Sequence, residues 1–71
     1  MKTNIPALRK QRKLSQEELA TNLGVTRQTI TSIEVGKYCA SLILAHKIAR
    51  FFGLAIEEVF DFSEEDEHGG L

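Results

Sequence analysis

Ser15-Gln16-Glu17-Glu18-Leu19-Ala20-Thr21-Asn22-Leu23-Gly24-Val25-Thr26-Arg27-Gln28-Thr29-Ile30-Thr31-Ser32-Ile33-Glu34 is the stretch that decides the fold of this chain. Ser15 followed three residues later by Glu18 forms a capping box, so a helix is expected to start at Gln16. Leu19, Ala20 and Leu23 share one face of it and mark a buried stripe. Gly24 supplies the left-handed residue that ends the helix without a Cβ penalty. Val25 packs at the corner, and Thr26 is placed to cap a second helix. In that helix Ile30 and Ile33 point one way, while Gln28, Thr31, Ser32 and Val35 point the other, with Arg27 at the edge of the arc. One reading of the outer arc is a solvated surface face. The other is a surface that meets base edges in a DNA major groove, because the arc holds short hydrogen-bonding groups and lacks the Glu and Lys of a merely soluble face.

With 71 residues the chain has room for one domain with a thin core, near the size where folding alone is marginal. Cys39 is the one cysteine, so no internal disulfide is available, and a reducing cytoplasmic compartment is expected. No charged-then-apolar leader is visible, and no apolar run approaches the roughly 18–20 residues that cross a bilayer, so a soluble, intracellular protein is expected. The formal net charge of −1 conceals a strong asymmetry. Residues 1–50 hold all nine Lys and Arg against Glu17, Glu18 and Glu34, a net of +6. Residues 57–71 carry seven acidic side chains and no Lys or Arg, a net of −7. A basic body is the electrostatic footprint that nucleic acid requires, and it predicts salt-dependent binding.

The pattern predicts five helices in residues 1–62, an all-α class, followed by an acidic tail over residues 63–71 whose composition predicts an extended or disordered segment. The first helix is expected from Pro6 to Lys13, with proline near its start and Leu8 turned inward. Gly36 ends the third helix. Ser41 caps the fourth, which runs to Phe52 with a buried arc of Leu42, Ala45, Ile48, Ala49 and Phe52. The fifth, about residues 56–61, adds Val59 and Phe60 to the core and starts weakly, because Ala55 stands where a capping hydroxyl is favoured.

Leu8-Arg9, Leu14-Ser15-Gln16-Glu17-Glu18-Leu19-Ala20, Leu23-Gly24-Val25-Thr26-Arg27-Gln28-Thr29-Ile30 and Ile33-Glu34-Val35-Gly36-Lys37 together resemble the Cro/C1-type (XRE-like) helix-turn-helix family. Ser41-Leu42, Ile48-Ala49, Phe52-Gly53 and Val59-Phe60 fit its fourth and fifth helices, so the resemblance covers roughly residues 5–62. It implies a compact five-helix, lambda-repressor-like domain that acts as a dimer on a near-palindromic operator in double-stranded DNA. By position, Arg27, Gln28 and Ser32 match the residues that meet base edges, and their chemistry suits guanine, adenine and either base respectively. Gln16 matches a phosphate contact at a helix N-terminus, and Lys37 with the backbone after Gly36 matches a second phosphate clamp. Thr26 and Thr31 add hydroxyl contacts of the same kind. Arg9 and Glu34 resemble the internal ion pair of the family, which orients the recognition helix rather than touching bases.

The chain departs from the family at several positions. Val35 replaces a common polar residue and offers a thymine methyl an apolar contact instead of a hydrogen bond. Cys39-Ala40 replaces a common Asn-Pro or Asp-Pro, which loosens the loop. Ile43 falls between Lys47 and Arg50 on the side away from the expected core. With Phe51, Ile56 and Phe62 it suggests a self-complementary dimer patch. The leading expectation is a dimeric repressor. The alternative is an antitoxin or protein-interaction module whose acidic tail binds a partner protein. No catalytic constellation, phosphate-cradling glycine loop or metal-ligand spacing accompanies His46, His68 or Cys39, so neither an enzyme nor a bound cofactor or metal is expected.

Overall fold

Helix boundaries in this protein follow its capping residues. The computed structural model describes residues 1–63. In chain order it contains β1 (Lys2–Thr3), α1 (Ile5–Gln11), α2 (Gln16–Leu23), α3 (Arg27–Glu34), α4 (Leu42–Phe52), α5 (Ile56–Val59) and β2 (Phe60–Asp61). Residues 64–71, with His68 and most of the acidic tail, lie outside the described residues. Ser15, Thr26 and Ser41 each accept from the backbone N–H three residues on, at 3.0, 3.2 and 3.2 Å, and so start α2, α3 and α4. Gly24 and Gly53 end α2 and α4 in the left-handed region. At α5 Ala55 has no side chain to accept, and only the reverse half of a capping box forms, with the Glu58 carboxylate accepting from the Ala55 N–H at 2.8 Å.

Among the described residues, the five helices close around thirteen buried apolar residues, of which Ile5, Leu19, Ile30, Ile33, Ile48 and Val59 are the largest fully enclosed ones. That core is the all-α fold expected from the pattern. Four details differ from the sequence reading. First, α1 starts at Ile5 and ends at Gln11, short of Lys13. Lys13 adopts φ of +56° as the chain reverses, which no helix permits. Ile5 takes the core position, and Leu8 is half-buried against it. Second, Leu42 is 79% exposed while Leu44 is buried. Leu44, Ala45, Ile48, Ala49 and Phe52 form the stripe, and Leu42 sits about 90° from its centre on the first turn, at about 100° per residue.

Third, α5 stops at Val59, because Phe60 and Asp61 leave the helix to pair antiparallel with Thr3 and Lys2. Fourth, that two-residue ribbon is a clasp between the N-terminal residues and the end of α5, which the all-α reading did not include. Asn4 strengthens it: its backbone N–H donates to Val59 O at 2.8 Å, and its side-chain amide donates to Glu58 O at 2.9 Å. Arg12 adds a second clasp. Its guanidinium donates to Phe51 O and Phe52 O at 3.0 and 3.2 Å and lies about 5 Å from both ring centroids. It thereby caps the last carbonyls of α4 from the residue that follows α1. Among the described residues no helix is long and apolar enough to cross a membrane.

Candidate nucleic-acid interface

The turn between α2 and α3 sets the attitude of α3. Gly24 at φ +74° reverses the chain, and the Val25 N–H donates back to Ala20 O at 3.0 Å. Ile30 and Ile33 are buried under α2 and the core, which turns the opposite side of α3 outward. On that side Arg27 and Gln28 are exposed, Thr31 and Ser32 are half-buried, and Val35 is 62% exposed. At the far end Gly36 takes φ of +81°, and the backbone N–H groups of Lys37 and Tyr38 both donate to Ser32 O, at 3.0 and 3.2 Å. The loop therefore folds back against α3 and brings Tyr38 beside it.

A network of side chains locks this helix to its neighbours. Arg9 Nε donates to Glu34 Oε2 at 2.6 Å and Arg9 Nη2 to Glu34 Oε1 at 3.1 Å, while Arg9 Nη1 donates to Leu14 O at 2.9 Å. The amide of Gln16 donates to Glu34 Oε1 at 2.9 Å and accepts from the Thr31 hydroxyl at 3.2 Å. The Arg9 and Glu34 side chains are only 14% and 6% exposed. The hydrogen bond to Glu34 raises the pKa of Arg9, so the guanidinium stays charged. α1, the start of α2 and the end of α3 thus meet on one carboxylate.

The expected base readers divide in position. Gln28 and Ser32, one helical turn apart, line one open cleft, and Arg27 is exposed on the same first turn of α3 without lining it. Among the described residues the Gln28 amide and the Ser32 hydroxyl have no intramolecular partner. The expected phosphate contacts divide as well. Lys37 is exposed. Gln16 and Thr31 are tied to each other, and the Thr26 hydroxyl is occupied with Thr29. Gln16 keeps one amide hydrogen for an outside acceptor.

Two residues and one link at or beside the site were not singled out from the sequence. Tyr38 lines the same cleft as Gln28 and Ser32. Arg12 is exposed, yet carries an interhelical cap. The Gln16 link to Glu34 also went unread. Only capping and periodicity are visible locally, and these three relationships join residues that the fold brings together. The four residues expected in a dimer patch fall in three places. Ile43 is 73% exposed beside Leu42. Ile56 and Phe62 line an apolar groove of about 220 Å³ with Met1, Cys39 and Leu42. Phe51 is half-buried and borders a separate cleft with His46, Lys47 and Arg50.

A family model described as helix-turn-helix matches residues 6–59, from α1 to the end of α5. The chain belongs to this helix-turn-helix family. An uncharacterized HTH-type transcriptional regulator of Methanocaldococcus jannaschii is 54% identical over 67 residues, covering 94% of this chain and all of that protein. A Bacillus subtilis regulator of the same description, YgzD, is 46% identical over 66 residues, covering 93% of this chain and all of its own length. The transcriptional repressor RstR of a cryptic phage of Vibrio cholerae is 37% identical over 62 residues, or 87% of this chain and 56% of RstR. Helix-turn-helix relatives of similar length thus occur in archaea and bacteria, and the matched region contains the whole network around Glu34.

Proposed function

We propose that this helix-turn-helix protein is a sequence-specific DNA-binding transcriptional regulator, a homodimeric repressor that reads a near-palindromic operator through the major groove. The observation that carries this reading is the outer face of α3. There Arg27 and Gln28 are exposed and Ser32 lies one turn on, while the helix beneath them is held rigidly by Arg9, Glu34 and Gln16. A preorganised face of uncharged and cationic donors suits base edges. The net charge of +6 over residues 1–50 suits the phosphates around them. Lys37 and the free hydrogen of the Gln16 amide then serve as phosphate contacts at the two ends of the motif, with Thr26 and Thr31 as lesser partners.

Two recognition helices must stand about 34 Å apart to enter successive major grooves, which a two-fold dimer provides. The exposed Leu42 and Ile43 beside the groove of Ile56 and Phe62 favour a self-complementary contact at that end. Such a role places the protein in the compartment that holds the genome.

Selection of bound fragments from a random DNA pool tests the reading. The expected result is an inverted repeat, bound by the wild type and lost by the double variant Arg27→Ala with Gln28→Ala. A pool without enrichment, or equal binding by the double variant, overturns it. Sedimentation of Ile43→Lys checks the dimer, with a monomer as the expected result.

A further inference from the structure

The acidic run Glu64-Glu65-Asp66-Glu67 has no part in the reading above, and it lies outside the described residues. A surface that suits it stands on α4. His46 and Lys47 lie four and three residues before Arg50, so the three share one exposed face of that helix. With Asn22 and Leu23 from the end of α2, and with Phe51, they line an open cleft of about 720 Å³. No acidic side chain lines it. The side chains of His46, Lys47 and Arg50 have no ion-pair or hydrogen-bond partner among the described residues. Lys47 and Arg50 therefore stand as a like-charged pair one turn apart, an arrangement that an anion relieves. Asn22 donates one amide hydrogen to Glu18 O at 2.8 Å and keeps the other.

The path from the acidic run to this cleft follows α1. Ser63, which precedes the run, borders one pocket with Asn4 at the start of α1. At the other end of α1 the Arg12 guanidinium lies 5.4 Å from the ring centroid of Phe51, a residue of the cleft. From Asn4 to Arg12 the helix rises about 12 Å, at about 1.5 Å per residue. Four extended residues beyond Ser63 span about 13 Å. Glu57 and Asp61 border the same pocket as Ser63, so like charges turn the run away from its own root. The recognition face presents its cations singly, since Arg27 opens α3 and Lys37 stands beyond its end.

We propose that residues 64–67 dock in this cleft of their own molecule, with their carboxylates on Lys47 and Arg50. Single exposed ion pairs contribute little, but four consecutive carboxylates on a short tether meet the paired cations at high local concentration. Docked there, the run offsets part of the +6 of residues 1–50 and weakens the attraction of that body for polyanions. The inference stands apart from the DNA reading, because the cleft lies on α2 and α4 and holds none of the expected base readers.

The test places a nitroxide on the full chain through His68→Cys, with Cys39→Ser to leave one thiol, and reads the broadening of isotope-labelled backbone amides. The expected result is broadening centred on Asn22, Lys47 and Arg50. It is expected to vanish in about 1 M NaCl, where charges are screened beyond about 3 Å. Lys47→Gln with Arg50→Gln is expected to abolish it. Neutralising the run through Glu64→Gln, Glu65→Gln, Asp66→Asn and Glu67→Gln is expected to do the same, and it leaves the helices untouched should the first variant disturb them. The proposal is overturned if no amide broadens, or if the broadening is equal in both variants. Broadening centred on Arg27 and Lys37 also overturns it, since the run then covers the recognition face. Nitroxide-bearing chains mixed with isotope-labelled chains that carry none report which molecule supplies the run, and broadening in that mixture overturns docking within one molecule.

Discussion

The guanidinium of Arg9 in α1 grips the carboxylate of Glu34 at the end of α3 through two hydrogen bonds of 2.6 and 3.1 Å, with both side chains largely shielded from water. Gln16 shares the same carboxylate oxygen. Removing the charge on one side leaves a poorly hydrated ion and a stranded amide. Glu34→Ala is therefore expected to cost about 3 kcal/mol of folding stability, read from urea denaturation. Arg9→Met with Glu34→Leu is expected to recover most of that loss, since no ion is then left unpaired.

Gly24 and Gly36 both have positive φ, but their surroundings differ. A Cβ on Gly24 meets nothing within 4 Å, whereas one on Gly36 stands 3.3 Å from the carbonyl oxygen of Met1. Gly24→Ala is expected to cost about 1 kcal/mol from the left-handed backbone alone. Gly36→Ala is expected to cost about 2 kcal/mol, because the N-terminal backbone must also give way. Thermal denaturation of the two variants checks the order.

Arg12 bonds two terminal carbonyls of α4 and stacks on Phe51 and Phe52. Arg12→Ala is expected to destabilise the fold by about 1–2 kcal/mol. Lysine is expected to restore little, since it lacks the planar fork that spans both carbonyls. Protection of the last α4 amides in hydrogen exchange should fall in both variants.

The hydrogen bonds from Ser15, its backbone N–H above all, hold the pKa of Glu18 below its ordinary value of 4.5. A carboxylate stabilised by folding contributes stability above its ordinary pKa and loses it as pH falls through its folded value. Asp61, lowered chiefly by its bonds with Ser63, acts in the same direction. Stability is expected to decline on acidification below pH 4.5. Glu18→Gln keeps the capping geometry without the titration and is expected to flatten part of that decline. Thermal melts across this range measure it.

Gln28 and Lys37 are expected to differ in how they affect DNA binding. Gln28→Ala should relax selectivity at one base pair and cost about 1–3 kcal/mol on the preferred sequence. Lys37→Ala should weaken binding to every sequence alike and reduce the salt dependence by about one charge. Fluorescence anisotropy at several salt concentrations separates the two.

The α2–Gly24–α3 unit was legible in the sequence because short-range chemistry sets its geometry. Ser15 with Glu18, Gly24 and Thr26 each act within three or four residues, and the 3.6-residue period names Leu19, Leu23, Ile30 and Ile33 as buried. The exposed positions of Arg27, Gln28 and Val35 follow from that same period.

Tertiary structure decided what joins distant parts of the chain. Phe60 reads as helical until Thr3 offers it a strand partner, and Leu42 reads as buried until Leu44 takes the place under the other helices. Arg12 becomes a cap only once α4 ends beside it, and Tyr38 joins the recognition face only once Gly36 folds its loop onto Ser32. Caps and periodicity are encoded in neighbouring residues. These later relationships depend on long-range closure, in which each partner is chosen by what the core has already brought near.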